Sequence, residues 1–340
     1  MHRQRSPLVL LAVLCAWTAP ASQAADGIKP GTPLERKGEE IVVCGQLFHT
    51  TAPVVLWTDP GGYDAYRVER RFTPLDQAGW DATKAAGSIS SPNRYGTRSR
   101  GLSPEQRELV RGGGWDLDIL RGVVDQFVIH YDVAGTSKRC FQVLHDSRGL
   151  SVHFMLDLDG TIYQTLDLKE RAWHATIAND RSVGIEIANM GAYSTKSAGK
   201  DDPLAKWYEK THDGHTRLII PGGLDKSGIR NRSKPLRPDR DEPVVGTVQG
   251  QTLRQYDLTP QQYDSLIKLT ATLCTVLPRI KCDYPRDASG KLITSKLPDD
   301  QLSAYQGVLG HYHVQTNKTD PGPAFQWDTV IDGARKLMAR

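Results

Sequence analysis

The chain has 340 residues, with 43 Lys and Arg against 39 Asp and Glu and a formal net charge of +4. So even a balance excludes the strongly basic surface of a nucleic-acid binder. A chain that is 39% hydrophobic and 24% charged is long enough for one large folded domain with an appendage.

The first residues, Met1-His-Arg-Gln-Arg5, lead into the apolar run of residues 8–17 and then Ser22-Gln-Ala24. A basic start, a short apolar stretch and small residues before a cut form the pattern of a secretory signal peptide, with cleavage after Ala24. The run is too short to span a bilayer. Cys15 follows Leu14 rather than the small residue a lipoprotein signal needs, and no later segment reads as transmembrane. The reading is therefore an exported protein, periplasmic or extracellular. Loss of Arg3 and Arg5 with residues 1–24 takes 43 basic residues to 41 against 39 acidic ones, a net charge of +2. Cys44, Cys140, Cys274 and Cys282 would then meet an oxidising compartment, and four cysteines allow three pairings. Cys274 and Cys282, close in sequence and separated by the helix stop at Pro278, are the first pair to expect.

Residues 25–118 read as a β-rich N-terminal extension. Residues 41–48, 54–58 and 66–72 have strand composition, the last two separated by the turn signal Asp59-Pro-Gly-Gly62. Ser103-Pro-Glu-Gln then predicts a helix start, with Ser103 as N-cap, Pro104 at the first position and Gln106 completing a capping box. Gly112-Gly-Gly114 ends that helix.

Residues 119–340 hold the chemistry. Alternation over residues 123–132 puts Phe127 and Ile129 on one strand face and Val128, His130 and Asp132 on the other. A lone histidine there is more often a satisfied core residue than a ligand. Residues 150–157 and 161–166 flank Asp159-Gly160, a hairpin signal. In residues 182–188, Val183, Ile185 and Ile187 form an apolar face, while Glu186 stands on the other between Gly184 and Ala188. Side chains that small leave space around a carboxylate. Residues 191–256 read as a long polar insertion, either a solvated loop or a basic lip, carrying Lys226, Arg230, Arg232, Lys234, Arg237 and Arg240. Thr259-Pro-Gln-Gln262 has capping-box form, and Tyr263, Leu266, Ile267, Leu273 and Leu277 follow at helical spacing; Val330, Ile331, Ala334 and Leu337 repeat the pattern in a closing helix. Between the two helices, His311, His313, Lys318 and Asp320 fall within ten residues. Pro321 pushes Asp320 toward extended backbone, so that Lys318 and Asp320 project to one side. Imidazole plus carboxylate suits zinc, and a catalytic zinc needs three protein ligands with a fourth position for water. A third ligand must come from elsewhere in the chain. His145, His212 and His215 have no partner pattern and read as surface residues, and His153 reads as structural.

Six ordered blocks carry a family resemblance: Phe127-Val-Ile-His-Tyr, Val152-His-Phe-Met-Leu-Asp-Leu-Asp-Gly-Thr-Ile-Tyr-Gln, Arg171-Ala-Trp-His-Ala, Ser182-Val-Gly-Ile-Glu-Ile, Gly310-His311 and Lys318-Thr-Asp-Pro-Gly. Over about residues 120–335 the chain resembles the type 2 N-acetylmuramoyl-L-alanine amidases, whose fold is shared with peptidoglycan recognition proteins. The resemblance implies an α/β fold, a central mixed β-sheet flanked by helices, with zinc in a groove at one face. It implies His130, His311 and Asp320 as zinc ligands, with His313 a competing ligand because the spacing to Lys318 is one residue short of the family's. By the same resemblance Glu186 is the general base, Lys318 stabilises the oxyanion, and Arg171, Trp173 and His174 line the substrate rim. The implied reaction is zinc-dependent hydrolysis of the amide between N-acetylmuramic acid and L-alanine in peptidoglycan or muropeptides. Two other readings stand beside it: a non-catalytic peptidoglycan-binding module and a zinc peptidase acting on stem peptides. The complete set of ligands, glutamate and lysine favours the enzyme over the binding module.

Overall fold

A computed structural model describes residues 29–87, 89–197 and 202–340. The expected signal peptide lies outside the described residues. Residues 1–36 form one unit, of which the described part carries a turn closed by Thr32 N on Lys29 O (3.1 Å); residues 37–340 form the other.

The second unit opens with a hairpin of β1 (Glu40–Val43) and β2 (Gln46–His49), where a single strand over 41–48 was expected. Cys44 and Gly45, both at positive φ, make the turn, and the Asp167 carboxylate accepts from both their backbone N–H groups (2.8 and 2.7 Å). After β3 (Val54–Leu56) the chain runs through 66–72 without the expected strand. There the N–H groups of Arg71 and Phe72 donate to Asp146 (3.1 and 2.9 Å), so no ladder can form. Short helices α1 (Leu75–Ala78) and α2 (Trp80–Ala85), strand β4 (Tyr95–Thr97) and helix α3 (Pro104–Arg111) follow. The capping box of α3 is present, with Ser103 Oγ accepting from Gln106 N and Gln106 Oε1 from Ser103 N, and Gly112 caps its end.

Helix α4 (Leu117–Val123) leads into β5 (Gln126–Tyr131), α5 (Ser137–Phe141), β6 (Phe154–Leu156), β7 (Ile162–Gln164), β8 (Glu170–Ala172) and β9 (Ser182–Ile187). The insertion holds β10 (Tyr193–Ser194), β11 (Tyr208–Lys210), β12 (Thr216–Leu218), α6 (Leu224–Ser227), β13 (Val244–Val248) and β14 (Gln251–Gln255). It is folded, where a solvated loop was one expectation: β10, β14 and β13 form a small sheet, and β11 and β12 a hairpin. Helix α7 (Pro260–Val276), capped by the Thr259–Gln262 box, precedes α8 (Asp299–Ala304), β15 (Gly307–Gly310), the single turn α9 (His311–Val314) and α10 (Trp327–Met338). Among the described residues no helix is long and apolar enough to cross a membrane.

The protein is of mixed α/β class. Among the described residues the central sheet has six strands in the order β15-β5-β9-β6-β7-β3, parallel except for the β6–β7 hairpin. Strand alternation divides the burial. Phe127, Ile129, Val183, Ile185, Ile187 and Val308 join a core with Leu266, Leu269, Leu273, Val330 and Ile331 of α7 and α10. The opposite face is left for His130 and Glu186, paired in register on adjacent parallel strands, and His311 follows directly from the end of β15. All three stand at the C-terminal ends of parallel strands, where open α/β sheets place their sites. Strand β3 changes the expected boundary at 118: it is the edge of this sheet, parallel to β7, with Val54 and Leu56 buried on one side and Val55 on the other. Residues 37–118 belong to the same unit as residues 119–340.

Candidate metal centre and cleft

Three donor atoms from distant points of the chain converge. His130 Nδ1 lies 2.9 Å from His311 Nδ1 and 2.9 Å from Asp320 Oδ2, and His311 Nδ1 lies 2.9 Å from the same oxygen. All three residues are buried, and among the described residues this is the one His, Cys, Asp or Glu group able to hold a metal ion. The far side of His311 fixes its tautomer, and a metal on His130 Nδ1 would fix that of His130. His130 Nε2 faces His174 Nδ1 at 3.0 Å, and His174 Nε2 in turn lies 3.3 Å from Ser182 Oγ. His311 Nε2 lies 2.7 Å from Gln315 Oε1, an acceptor, so it carries the proton. In the arrangement where both Nε2 atoms donate outward, two bare Nδ1 atoms and a carboxylate oxygen point at one another, which is repulsive unless a cation sits among them. Their 2.9 Å separations are close to the ~3.3 Å edge of a tetrahedral zinc site built on ordinary zinc–nitrogen distances. The residues present thus fit zinc, and the outward hydrogen bonds are the kind that orient metal-binding imidazoles.

Burial and the neighbouring His311 push His130 down to about 4, so its ring is neutral near pH 7. Burial would raise the Asp320 carboxyl, but the two imidazoles within 2.9 Å, His311 foremost, outweigh it and hold the group well below the usual carboxylate range. The loop bearing Asp320 is braced from three sides. Tyr312 N donates to Asp320 O (3.1 Å), Tyr131 Oη meets Thr319 Oγ1 at 2.5 Å, and Gln255 of β14 donates to Pro321 O (3.0 Å). The Asp320–Pro321 peptide bond is cis.

A cleft of about 850 Å3 opens over the group; Glu186, Lys318, Trp173 and His174 also line it. Glu186 Oε2 is buried and has no hydrogen-bond partner. Burial, with the Asp320 and Asp132 charges, pushes its carboxyl well above the ordinary range, against Lys318 and Arg148. Burial also pushes Asp132, two residues along the same strand face as His130, up to about 7.

The chain matches the family described as N-acetylmuramoyl-L-alanine amidase over residues 120–323. It belongs to that family. No match was found among curated proteins. Solved structures give distant likenesses: AmpD in a selenomethionine derivative (18% identity, 72% of this chain and 92% of that chain, TM-score 0.31), the amidase AmiD from E. coli in complex with anhydro-N-acetylmuramic acid-L-Ala-D-gamma-Glu-L-Lys (18%, 62% and 57%, 0.33), and the endolysin amidase LysCS from Clostridium intestinale URNW (15%, 64% and 86%, 0.30). At those scores the family assignment rests on the sequence match alone.

In this amidase-family chain the expected site residues fall into two groups. His130, His311, Asp320, Glu186, Lys318, Trp173 and His174 share the cleft. Arg171 does not: it sits on β8 and pairs with Asp180 (3.0 Å), outside the cleft lining. His174 lies behind His130 as much as at the rim, and it fills the space that Gly184 was expected to leave around Glu186; a Cβ on Gly184 would stand 2.5 Å from its ring. Burial and the His130 charge hold the His174 ring well below its ordinary value. His313, the competing ligand, is turned away. Its Nδ1 accepts from Gly310 N (2.9 Å) and its Nε2 donates to Ile293 O (2.6 Å), leaving no lone pair for a metal. His153 is structural as expected, accepting from Gly184 N (3.1 Å) and donating to Glu170 O (2.9 Å). His145, expected at the surface, is buried between Asp146 (2.8 Å) and Arg67 O (2.9 Å) and stacks on Phe141. His212 and His215 are exposed.

Sequence reading missed Gln315 and Ser182, the outer partners on the two histidine branches. Gln315, four residues after His311 across one helical turn, carried a usable signal. It also missed the cleft wall built by Trp207, Ile220, Pro221 and Lys226 of the insertion and by Lys138, Arg139 and Cys140 of α5. Trp207 lies flush on Gly135, where a Cβ would come within 2.4 Å of the indole, and Lys138 Nζ donates to Lys226 O (3.0 Å).

Proposed function

We propose that the protein is a zinc-dependent N-acetylmuramoyl-L-alanine amidase that hydrolyses the amide joining the lactyl group of N-acetylmuramic acid to L-alanine in peptidoglycan or muropeptides. One observation carries the reading: within the family-matched residues, two bare imidazole nitrogens and a carboxylate oxygen converge beside a buried carboxylate oxygen that has no protein partner. His130, His311 and Asp320 would hold the metal. Zinc in such a group supplies a Lewis acid that polarises an amide carbonyl and acidifies water. Glu186 would take a proton from the attacking water and return it to the nitrogen as the C–N bond breaks, leaving a carboxyl on the lactyl group and a free amine on L-alanine. Its raised pKa suits that double duty, and a cation nearby would draw it back toward neutrality. Lys318, lining the same cleft, would face the carbonyl oxygen as it gains negative charge. A module that only binds needs no proton-transfer group, so the unpartnered Glu186 oxygen supports the catalytic reading. Lys138, Arg139, Arg148 and Lys226 around the cleft suit the carboxylates of a peptide stem.

Export to the periplasm or outside the cell belongs to the same proposal, since the substrate is wall polymer and residues 1–24 have signal-peptide form. Secreted material should begin at Ala25 on N-terminal sequencing. A muropeptide of defined structure, incubated with zinc-loaded protein and weighed by mass spectrometry, should yield the sugar with a free lactyl carboxylate and an intact stem with a free L-alanine amine. Cleavage between stem residues instead would make the protein a peptidase.

A further inference from the structure

Arg98, just beyond β4 and outside the family-matched residues, is fully buried. Its guanidinium donates to four backbone carbonyls: Nε to Leu168 (3.1 Å), Nη1 to Asn179 (3.1 Å) and Asp180 (3.0 Å), and Nη2 to Ser182 (3.0 Å). Nη2 also lies 3.0 Å from His153 Nε2, but that nitrogen already donates to Glu170 O. The four carbonyls bracket residues 168–182, the stretch that carries His174. Two of the residues whose carbonyls Arg98 holds also hold His174 with their side chains. Asn179 Oδ1 accepts from the backbone N–H of His174 (3.1 Å) and Ala175 (2.6 Å), and Ser182 Oγ meets His174 Nε2 (3.3 Å). His174 Nδ1 then meets His130 Nε2 at 3.0 Å. A charged group is costly to bury, and one whose planar fork spans four carbonyls on a single loop fixes that loop's shape.

We propose that Arg98 is a positioning residue for the metal centre, setting the orientation of His130 through Asn179, Ser182 and His174. The inference rests on the reading of His130, His311 and Asp320 as a zinc site. Arg94 supplies a matched control: it comes from the same segment and is equally buried, but its guanidinium donates to the carbonyls of Pro92 and His145 rather than to those of residues 168–182.

The test measures the zinc dissociation constant of metal-free protein by competition with a chromogenic chelator, alongside the unfolding midpoint without metal. Arg98→Met should bind zinc more than twofold more weakly, with about 10–100-fold, the usual effect of removing a direct outer partner of a metal-binding imidazole, as the upper bound. Arg94→Met should lose stability but bind zinc as wild type does. If Arg98→Met does not fold, Arg98→Lys and Ser182→Ala carry the same test, because one ammonium cannot span four carbonyls and the serine change removes only the hydroxyl behind His174. Zinc affinity within twofold of wild type in a folded Arg98→Met, or in both Arg98→Lys and Ser182→Ala, overturns the proposal. Wild-type protein that takes up no zinc overturns the metal reading beneath it, and the wild-type titration alone separates that failure from the other.

Discussion

Which ring nitrogen faces inward decides the chemistry of each histidine. His311 and His313 sit two residues apart in the single turn α9 and so point to different sides. Sequence spacing alone left that choice open, because the turn begins at His311 itself. His311→Ala should therefore release zinc, while His313→Ala should keep it and lose stability; zinc lost only from His313→Ala would reverse the assignment. The buried neutral histidines also set a pH dependence. Burial and the Arg98 charge push His153 down to about 3, and burial pushes His313 down to about 3, from an ordinary value of 6.5. Below pH 6.5 the unfolded chain takes up protons that these rings refuse in the fold, so stability present above 6.5 is lost as pH falls toward 3. Each ring contributes a slope of about 1.4 kcal/mol per pH unit within that window. Denaturant midpoints of metal-free protein at pH 7, 6 and 5 should show the decline, and His313→Gln should flatten it by about one proton; a flat wild-type profile contradicts this. His130 and Glu186 were legible because strand alternation sorts faces. His145 and Arg98 were not, since each is buried through partners more than fifty residues away.

At the scale of elements, the helices were the most legible. The capping boxes at Ser103 and Thr259 are local, needing only three residues to agree, and both form. Strands depend on a distant partner, and the 66–72 segment shows the consequence: its composition suits a strand, but Asp146 takes its donors. The cysteines belong to this scale too. Cys274 on α7 and Cys282 beyond Pro278 are free thiols in hydrogen-bond contact; that contact, with burial, pushes the Cys274 thiol well above its ordinary value. In the proposed exported state, an oxidising compartment should join them, closing a short loop across the end of α7. Peptide mapping of secreted, unreduced protein should recover the two peptides linked, and alkylated Cys274 from that material would sink the pairing. Cys140, buried beside the cleft, should remain a thiol.

Across the whole molecule, the family pattern made the sheet and the convergence of His130, His311 and Asp320 legible, but it ends near residue 120 and says nothing about what precedes it. There β3 completes the sheet edge and Arg98 braces the loop behind His130. A protein starting at residue 119 lacks both and should be insoluble or show no cooperative unfolding, whereas one starting at residue 37 should unfold like the mature chain. A stably folded 119–340 fragment would show that the fold does not need residues 37–118. The insertion likewise had no readable role, because its contribution is made in space: Trp207 and Lys226 reach the cleft only once the chain has folded over α5. If a three-ligand zinc site works with Glu186 as the group that carries the proton, zinc content and muropeptide turnover measured on the same preparations of wild type, Glu186→Gln and Asp320→Ala should separate the two roles. Wild type should hold about one zinc per chain and cleave; Asp320→Ala should lose most of the metal and the activity. Glu186→Gln should keep its zinc and lose roughly two to four orders of magnitude in turnover. Near-normal cleavage by Glu186→Gln, or loss of its zinc, would contradict the account.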